Sequence, residues 1–205
     1  MSPKVPEAYR EARLAEILTA AEDSFLEKGL HATTMQDIYR RTQLSPGAVY
    51  NYFSSRDDIV VAAVQRFNEW SVAQMTSRLT ENPDESLIDI LRFWLDLLRP
   101  RDRKQVIVMQ LDFYAEATRN PAIREAMVAS QDAIHEVLAE LIKHRQQEGA
   151  FDPSLDAESV ARAIMSLTFG AAIHRSLEPD TDLDAYAAVC EAMLRGLLAA
   201  PPDKK

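Results

Sequence analysis

Apolar residues recur along this chain at three- and four-residue steps, and no segment alternates with period two for long enough to make a strand, so the pattern predicts helices throughout. The first stripe, Leu14, Ile17, Leu18, Ala21 and Phe25, predicts a helix over about 7–28, with Gly29 where a left-handed C-cap belongs. Thr33 and Gln36 have capping-box spacing and open a short helix to about Arg41. Ser45 followed by Pro46 reads as the N-cap and first residue of a second short helix, ending near Phe53. Ser55 with Asp58 repeats the capping signal ahead of a long helix to about Thr80. Further helices are expected near 84–98, 102–118, 121–147, 156–176 and 183–199. Only five glycines and ten prolines occur, and Gly29, Pro83, Pro100, Pro121, Gly149 with Pro153, Pro179 and Pro201 with Pro202 fall at the breaks between these stretches. The fold class is therefore all-α, with a three-helix N-terminal domain at 1–56 and a larger bundle of about six helices at 57–205. There is no internal repeat, and no low-complexity segment beyond the tail PPDKK.

With 47% hydrophobic and 27% charged residues, 205 residues suffice for one or two globular domains, which excludes a disordered chain, a fibre and a disulfide scaffold. Cys190 is the single cysteine, so no internal disulfide can form and a reducing compartment fits. The N-terminal residues lack a secretory pattern, and no apolar run approaches the roughly 18 residues needed to cross a bilayer. A cytoplasmic protein with no membrane partner is expected. The net charge of −9 argues against nucleic acid, since a polyanion-binding protein needs a basic footprint. Counted by segment, the objection weakens. Residues 1–56 hold seven basic and seven acidic residues, residues 57–205 hold sixteen and twenty-five, and the stretch 33–56 holds three basic residues against one acid.

Two short helices joined by a turn at Thr42–Leu44, a motif spanning about 33–53, can place the second helix in a DNA major groove while the first braces it. The run ILTAAEDSFLEKGLHATTMQDIYRRTQLSPGAVYNYFSSRDDIV resembles the DNA-binding domain of the TetR family of transcriptional regulators. The matching positions are Ile17 to Ala21, Phe25, Gly29, Thr34, Ile38, Leu44, Ser45, Gly47, Tyr50, Tyr52, Phe53 and Arg56. The chemistry of the residues agrees. Ser45, Gly47 and Ala48 at the start of this helix are small enough to let the backbone approach DNA, helix N-termini favour phosphate, and Pro46 between them is counted with the DNA-binding residues. Tyr50 and Tyr52 can donate to phosphate oxygens, Asn51 can bond an adenine edge, and the Ala48 methyl can meet a thymine methyl. The resemblance implies that Thr34 and Arg56 hold the DNA backbone and that Gln36 reaches a base. Tyr39, Thr42 and Gln43 depart from the family's usual Ala, Ala and Gly, and a positive φ at Gln43 would carry strain of order 1 kcal/mol.

The same resemblance implies a homodimer on a palindromic operator in double-stranded DNA, released as a repressor by a small-molecule effector. Repression and activation are not separable from sequence, and a helical small-molecule-binding protein that no longer reads DNA is the alternative from another class. QLDFYAEATRNPAIREAM resembles a segment of some C-terminal domains of this family. The last two helices are the expected dimer interface, through Ile164, Leu167, Gly170 and Ala171 on one and Cys190, Leu194 and Leu197 on the other. Trp94, Met109, Phe113, Tyr114, Met127, His135, Met165 and Phe169 are the candidates for an effector pocket, although such residues at helical spacing equally suit a core. Asp112 and Glu116 have i, i+4 spacing and can act as a carboxylate pair, or Glu116 can pair with Arg119 or with a basic group on another helix. No close His or Cys pair supplies two metal ligands from one helix, and there is no nucleophile elbow or phosphate loop, so neither metal, cofactor nor enzyme activity is expected.

Overall fold

The computed structural model describes residues 6–82, 84–99 and 104–198; Pro83, Pro100, Pro201, Pro202 and the tail lie outside them. The described residues form nine α-helices and no strand: α1 (Glu7–Lys28), α2 (Met35–Thr42), α3 (Pro46–Tyr50), α4 (Arg56–Glu81), α5 (Leu87–Asp96), α6 (Lys104–Ala117), α7 (Pro121–Gln147), α8 (Ala157–Leu177) and α9 (Leu183–Leu198). None of these helices is long and apolar enough to cross a membrane.

Capping chemistry sets most of the boundaries. Ser45 caps α3 by accepting from the Ala48 N–H at 3.2 Å, with Pro46 at the first helical position. Asp58 accepts from the N–H groups of Ser54 and Ser55 at 2.9 and 3.0 Å, and Ser55 Oγ accepts from the Asp58 N–H, which opens α4. A further capping box, Ser86 with Asp89, starts α5 at Leu87, three residues later than the expected 84.

Two expectations at the first turn need correction. The box that opens α2 is Thr34 with Asp37, one residue later than Thr33 with Gln36. Thr33 is buried instead, its hydroxyl donating to the carbonyls of Ser24 and Gly29 at 3.1 and 2.9 Å. The Thr33 hydroxyl is turned back to those carbonyls, and it is Thr34 Oγ1 that accepts from the first turn of α2. Gly29 does have a positive φ of 83°, and its N–H donates to the Phe25 carbonyl at 2.8 Å. Its ψ of 157° lies outside the left-handed helical basin, in a region that glycine alone enters without strain. A third correction is smaller: α3 ends at Tyr50, because Tyr52 and Phe53 both donate to the Val49 carbonyl and close a last turn.

The chain forms two compact units. The first comprises residues up to Asn68 together with Val108–Val128. Its core brings Ile17, Leu18, Ala21 and Phe25 of α1 against Ile38, Val49 and Phe53 of the two short helices, Ile59, Val60, Ala63 and Val64 of α4, and Met109, Phe113 and Ile123 from the later stretch. The second comprises Glu69–Ile107 and the residues from Ala129 onward. Its core is built from Leu87, Ile90, Leu91 and Leu95 of α5, Leu138 and Ile142 of α7, Ala161, Ile164 and Ala171 of α8, and Leu183, Cys190 and Leu194 of α9. Cys190 is a free, buried thiol, pushed up from its ordinary pKa by burial.

Candidate nucleic-acid interface

The helix-turn-helix sits in the first unit, and each of its parts has a local cause. At the start of α2, Thr34 donates its N–H and its hydroxyl to Asp37 Oδ2 at 2.9 and 2.7 Å, while the Asp37 N–H returns to Thr34 Oγ1 at 3.3 Å. Lys28 also reaches Asp37 at 2.5 Å. Lys28 and then the Thr34 donors hold the Asp37 carboxyl well below the usual aspartate range.

The turn contains Gln43 with φ 55° and ψ 15°, the one positive φ outside glycine among the described residues. Thr42 steadies it: its hydroxyl donates to the Tyr39 carbonyl at 3.2 Å and accepts from the Leu44 N–H at 3.3 Å. Tyr39 packs on Tyr50 with ring centroids 6.0 Å apart, and its hydroxyl is pushed up to about 12 by burial and by the neighbouring Tyr50 hydroxyl. All three departures from the family pattern thus take part in one turn. A glycine at position 43 would adopt this conformation freely. The Gln43→Gly variant is therefore expected to gain about 0.5–1 kcal/mol, read as a rise of about 2–4 °C in Tm; a fall in Tm would show that the Gln43 side chain contributes more than its strain costs.

The turn leaves α3 with two unlike faces. Val49 and Phe53 are buried, whereas Ser45, Pro46, Gly47, Tyr50 and Asn51 are exposed, with Ala48 and Tyr52 half-buried. Nothing lies within 4 Å of the position a Gly47 Cβ would take, so the start of α3 is open to an approaching backbone. Thr34 and Gln36 are also exposed.

The basic residues of 33–56 are less available than a count of charges suggests. Arg56 donates to the carbonyls of Leu30 and of Thr33, the latter at 3.0 Å, and lies 3.7 Å from Asp57. Arg41 pairs with Glu27 and lies 3.7 Å from Asp23, while Arg40 is exposed. Arg56 is a clamp on the preceding loop, a role that no local sequence signal shows, since its partners lie 23 and 26 residues away. What the face offers DNA is mainly hydroxyls, an amide and backbone N–H groups.

The other expected site residues fall in different places. Met109 and Phe113 belong to the core of the first unit, Met127 packs against that core, and Tyr114 is half-buried there. In the second unit Trp94 and Met165 pack against the core, and Phe169 is half-buried. Trp94 Nε1 and His135 Nδ1 are both enclosed without a hydrogen-bond partner, and burial together with Arg162 lowers the His135 pKa. The eight residues therefore do not line a single pocket within either unit. An open groove of about 400 Å³ in the second unit is lined instead by Thr76, Leu79 and Thr80 of α4 and Glu136, Val137 and Glu140 of α7.

Of the interface candidates, Ile164, Ala171, Cys190 and Leu194 are buried in the second unit's own core, and Leu167 and Gly170 are half-buried, with the Leu167 carbonyl accepting from the Tyr186 hydroxyl at 2.9 Å. The side chain of Leu197 lies outside the described structure. The apolar face left exposed on α9 is Ala185, Ala188, Val189, Ala192 and Met193. This second stripe was visible at the same three- and four-residue spacing, but periodicity does not say which of two apolar stripes turns inward. Among the described residues no group of three or more His, Cys, Asp or Glu is placed to hold a metal ion.

Two family profiles match this chain: bacterial regulatory proteins, tetR family, over residues 17–63, and BetI-type transcriptional repressor, C-terminal, over residues 83–199. The transcriptional regulator UidR of Escherichia coli strain K12 is 25% identical over 187 residues, which cover 90% of this chain and 92% of UidR. Salmonella enterica GusR superposes with a TM-score of 0.77 at 24% identity, over 95% of this chain and 98% of that one. A transcriptional regulator from Saccharomonospora viridis, solved in complex with choline, superposes with a TM-score of 0.74 at 21% identity, over 92% of this chain and 98% of that one. An all-helical chain presenting this helix-turn-helix is a transcriptional regulator. It belongs to the TetR family, with a C-terminal part similar to that of the BetI-type repressors.

Proposed function

We propose that this chain is a homodimeric repressor that binds a palindromic operator and is released from it by a small organic effector. Residues 1–56 carry DNA binding, and residues 57–205 carry effector binding and dimerisation. The observation that carries the reading is the exposed face of α3, where Ser45, Gly47, Tyr50 and Asn51 point outward while Val49 and Phe53 are buried. Two such helices would enter successive major grooves about 34 Å apart. The apolar stripe of α9, with Val189 61% and Met193 49% exposed, supports a second copy as partner, because a soluble monomer gains nothing by leaving it in water. The enclosed, unpartnered nitrogens of Trp94 and His135 support polar contacts to an effector within the second unit, as does the choline held by the S. viridis relative. An effector that binds the DNA-competent and released conformations equally would shift nothing, so the effector must prefer the released one.

Enriching a random pool of DNA duplexes on the purified full-length chain tests this reading. The expected result is a palindromic consensus bound by a dimer, with affinity falling as salt rises because phosphate contacts release counterions. Failure to enrich any sequence, with no salt dependence of binding, would sink the proposal and favour a helical small-molecule-binding protein.

A further inference from the structure

The loop between α1 and α2 is gripped by side chains from far along the chain, all within the first unit. Leu30 is fully buried, its N–H donates to Asp112 Oδ2 on α6 at 3.2 Å, and its carbonyl accepts from Arg56 on α4. One residue on, His31 Nδ1 lies 3.5 Å from Glu116 Oε2, whose side chain is only 18% exposed. Asp112 and Glu116 therefore neither form an isolated carboxylate pair nor turn to Arg119; one helical turn apart, they hold consecutive residues of the same loop. The preceding Gly29 has the backbone conformation noted above. Thr34, the cap of α2, follows three residues after His31.

We infer that α6 sets the docking geometry of the helix-turn-helix through Asp112 and Glu116, which are positioning residues for DNA binding although they are acidic and lie outside the DNA face. This inference rests on the DNA-binding reading above. Its sign separates it from simple electrostatics. Removing a carboxylate from a DNA-binding unit should tighten binding to a polyanion if charge alone matters. Removing a positioning carboxylate should weaken it, because a recognition helix displaced on its support loses aligned contacts.

The test uses the full-length chain and the duplex enriched from the random pool, at fixed salt and below the melting temperature of every variant. Asp112→Leu is expected to weaken binding about tenfold and to speed hydrogen exchange at the Leu30 amide. Asp112→Asn keeps an acceptor for that amide while removing the charge, and is expected to recover most of the loss. Glu116→Ala guards against a folding defect in Asp112→Leu and is expected to weaken binding about threefold. If wild type binds the duplex and both Asp112→Leu and Glu116→Ala bind it as tightly or tighter, the inference is overturned while the DNA-binding reading stands. If wild type enriches no duplex, both fall together.

Discussion

Changing Tyr50 and Asn51 together to alanine is expected to weaken binding to the target duplex by at least about 100-fold while leaving Tm nearly unchanged. Both side chains are exposed, Tyr50 to 51%, so neither is itself part of the core. Their expected partners are a phosphate oxygen for Tyr50 and an adenine edge for Asn51, and a good base contact is worth about 1–3 kcal/mol. The proposed dimer would lose each contact twice, which is why the combined effect is expected to reach two orders of magnitude. The two substitutions also separate by kind. Asn51→Ala alone should relax preference at one base position in each half-site, whereas Tyr50→Ala should weaken all sequences alike. Tyr50 has a second role, since its ring packs on Tyr39, and Tyr50→Phe keeps that packing while deleting the hydroxyl. Binding titrations across salt, alongside thermal melts, read both. An unchanged Kd in the double variant would mean that α3 is not the reading helix.

Phe113→Ala is expected to act the opposite way, costing about 3–5 kcal/mol of stability. Phe113 is 2% exposed, and its ring meets Phe25 edge to face at a centroid distance of 6.5 Å and an interplanar angle of 87°. Since a domain is stable by only about 5–15 kcal/mol in all, such a loss is a large share and should lower Tm by roughly 10 °C. As a pocket residue, Phe113 would instead change effector affinity with little change in melting. A melt within about 2 °C of wild type would favour its role as an effector contact. The same comparison applied to Trp94→Phe has the reverse expectation, because that change removes the enclosed indole N–H and keeps an aromatic ring.

Much of the architecture was legible because its causes are local. Ser45 with Pro46, Ser55 with Asp58, and the run from Pro121 place helix starts to within a residue or so, since a capping hydrogen bond reaches only three residues along the chain. The helix-turn-helix was legible for the same reason, and the matching positions in residues 17–63 carry its register. Even the strain at Gln43 could be anticipated, because the resemblance puts a glycine where this chain has Gln43. The misplacement of the α2 cap shows the limit of this logic. Thr33 and Thr34 both offer a hydroxyl with a polar partner three residues on, and what distinguishes them is that the Ser24 and Gly29 carbonyls have already engaged Thr33.

The amino-acid sequence thus determined which segments are helices, where the two short helices of the helix-turn-helix lie and which side chains stand on them, since each follows from contacts within a few residues. Only the tertiary structure decided which face of each helix is buried. It buried Ile164, Ala171, Cys190 and Leu194 in the core of the second unit and left Ala185, Val189 and Met193 exposed, although both stripes are apolar and equally periodic. It also brought Asp112 to the Leu30 amide across 82 residues and turned Arg56 to the carbonyls of Leu30 and Thr33. Such pairings are set by how the helices pack into a common core, and periodicity along one helix carries no information about its distant neighbours.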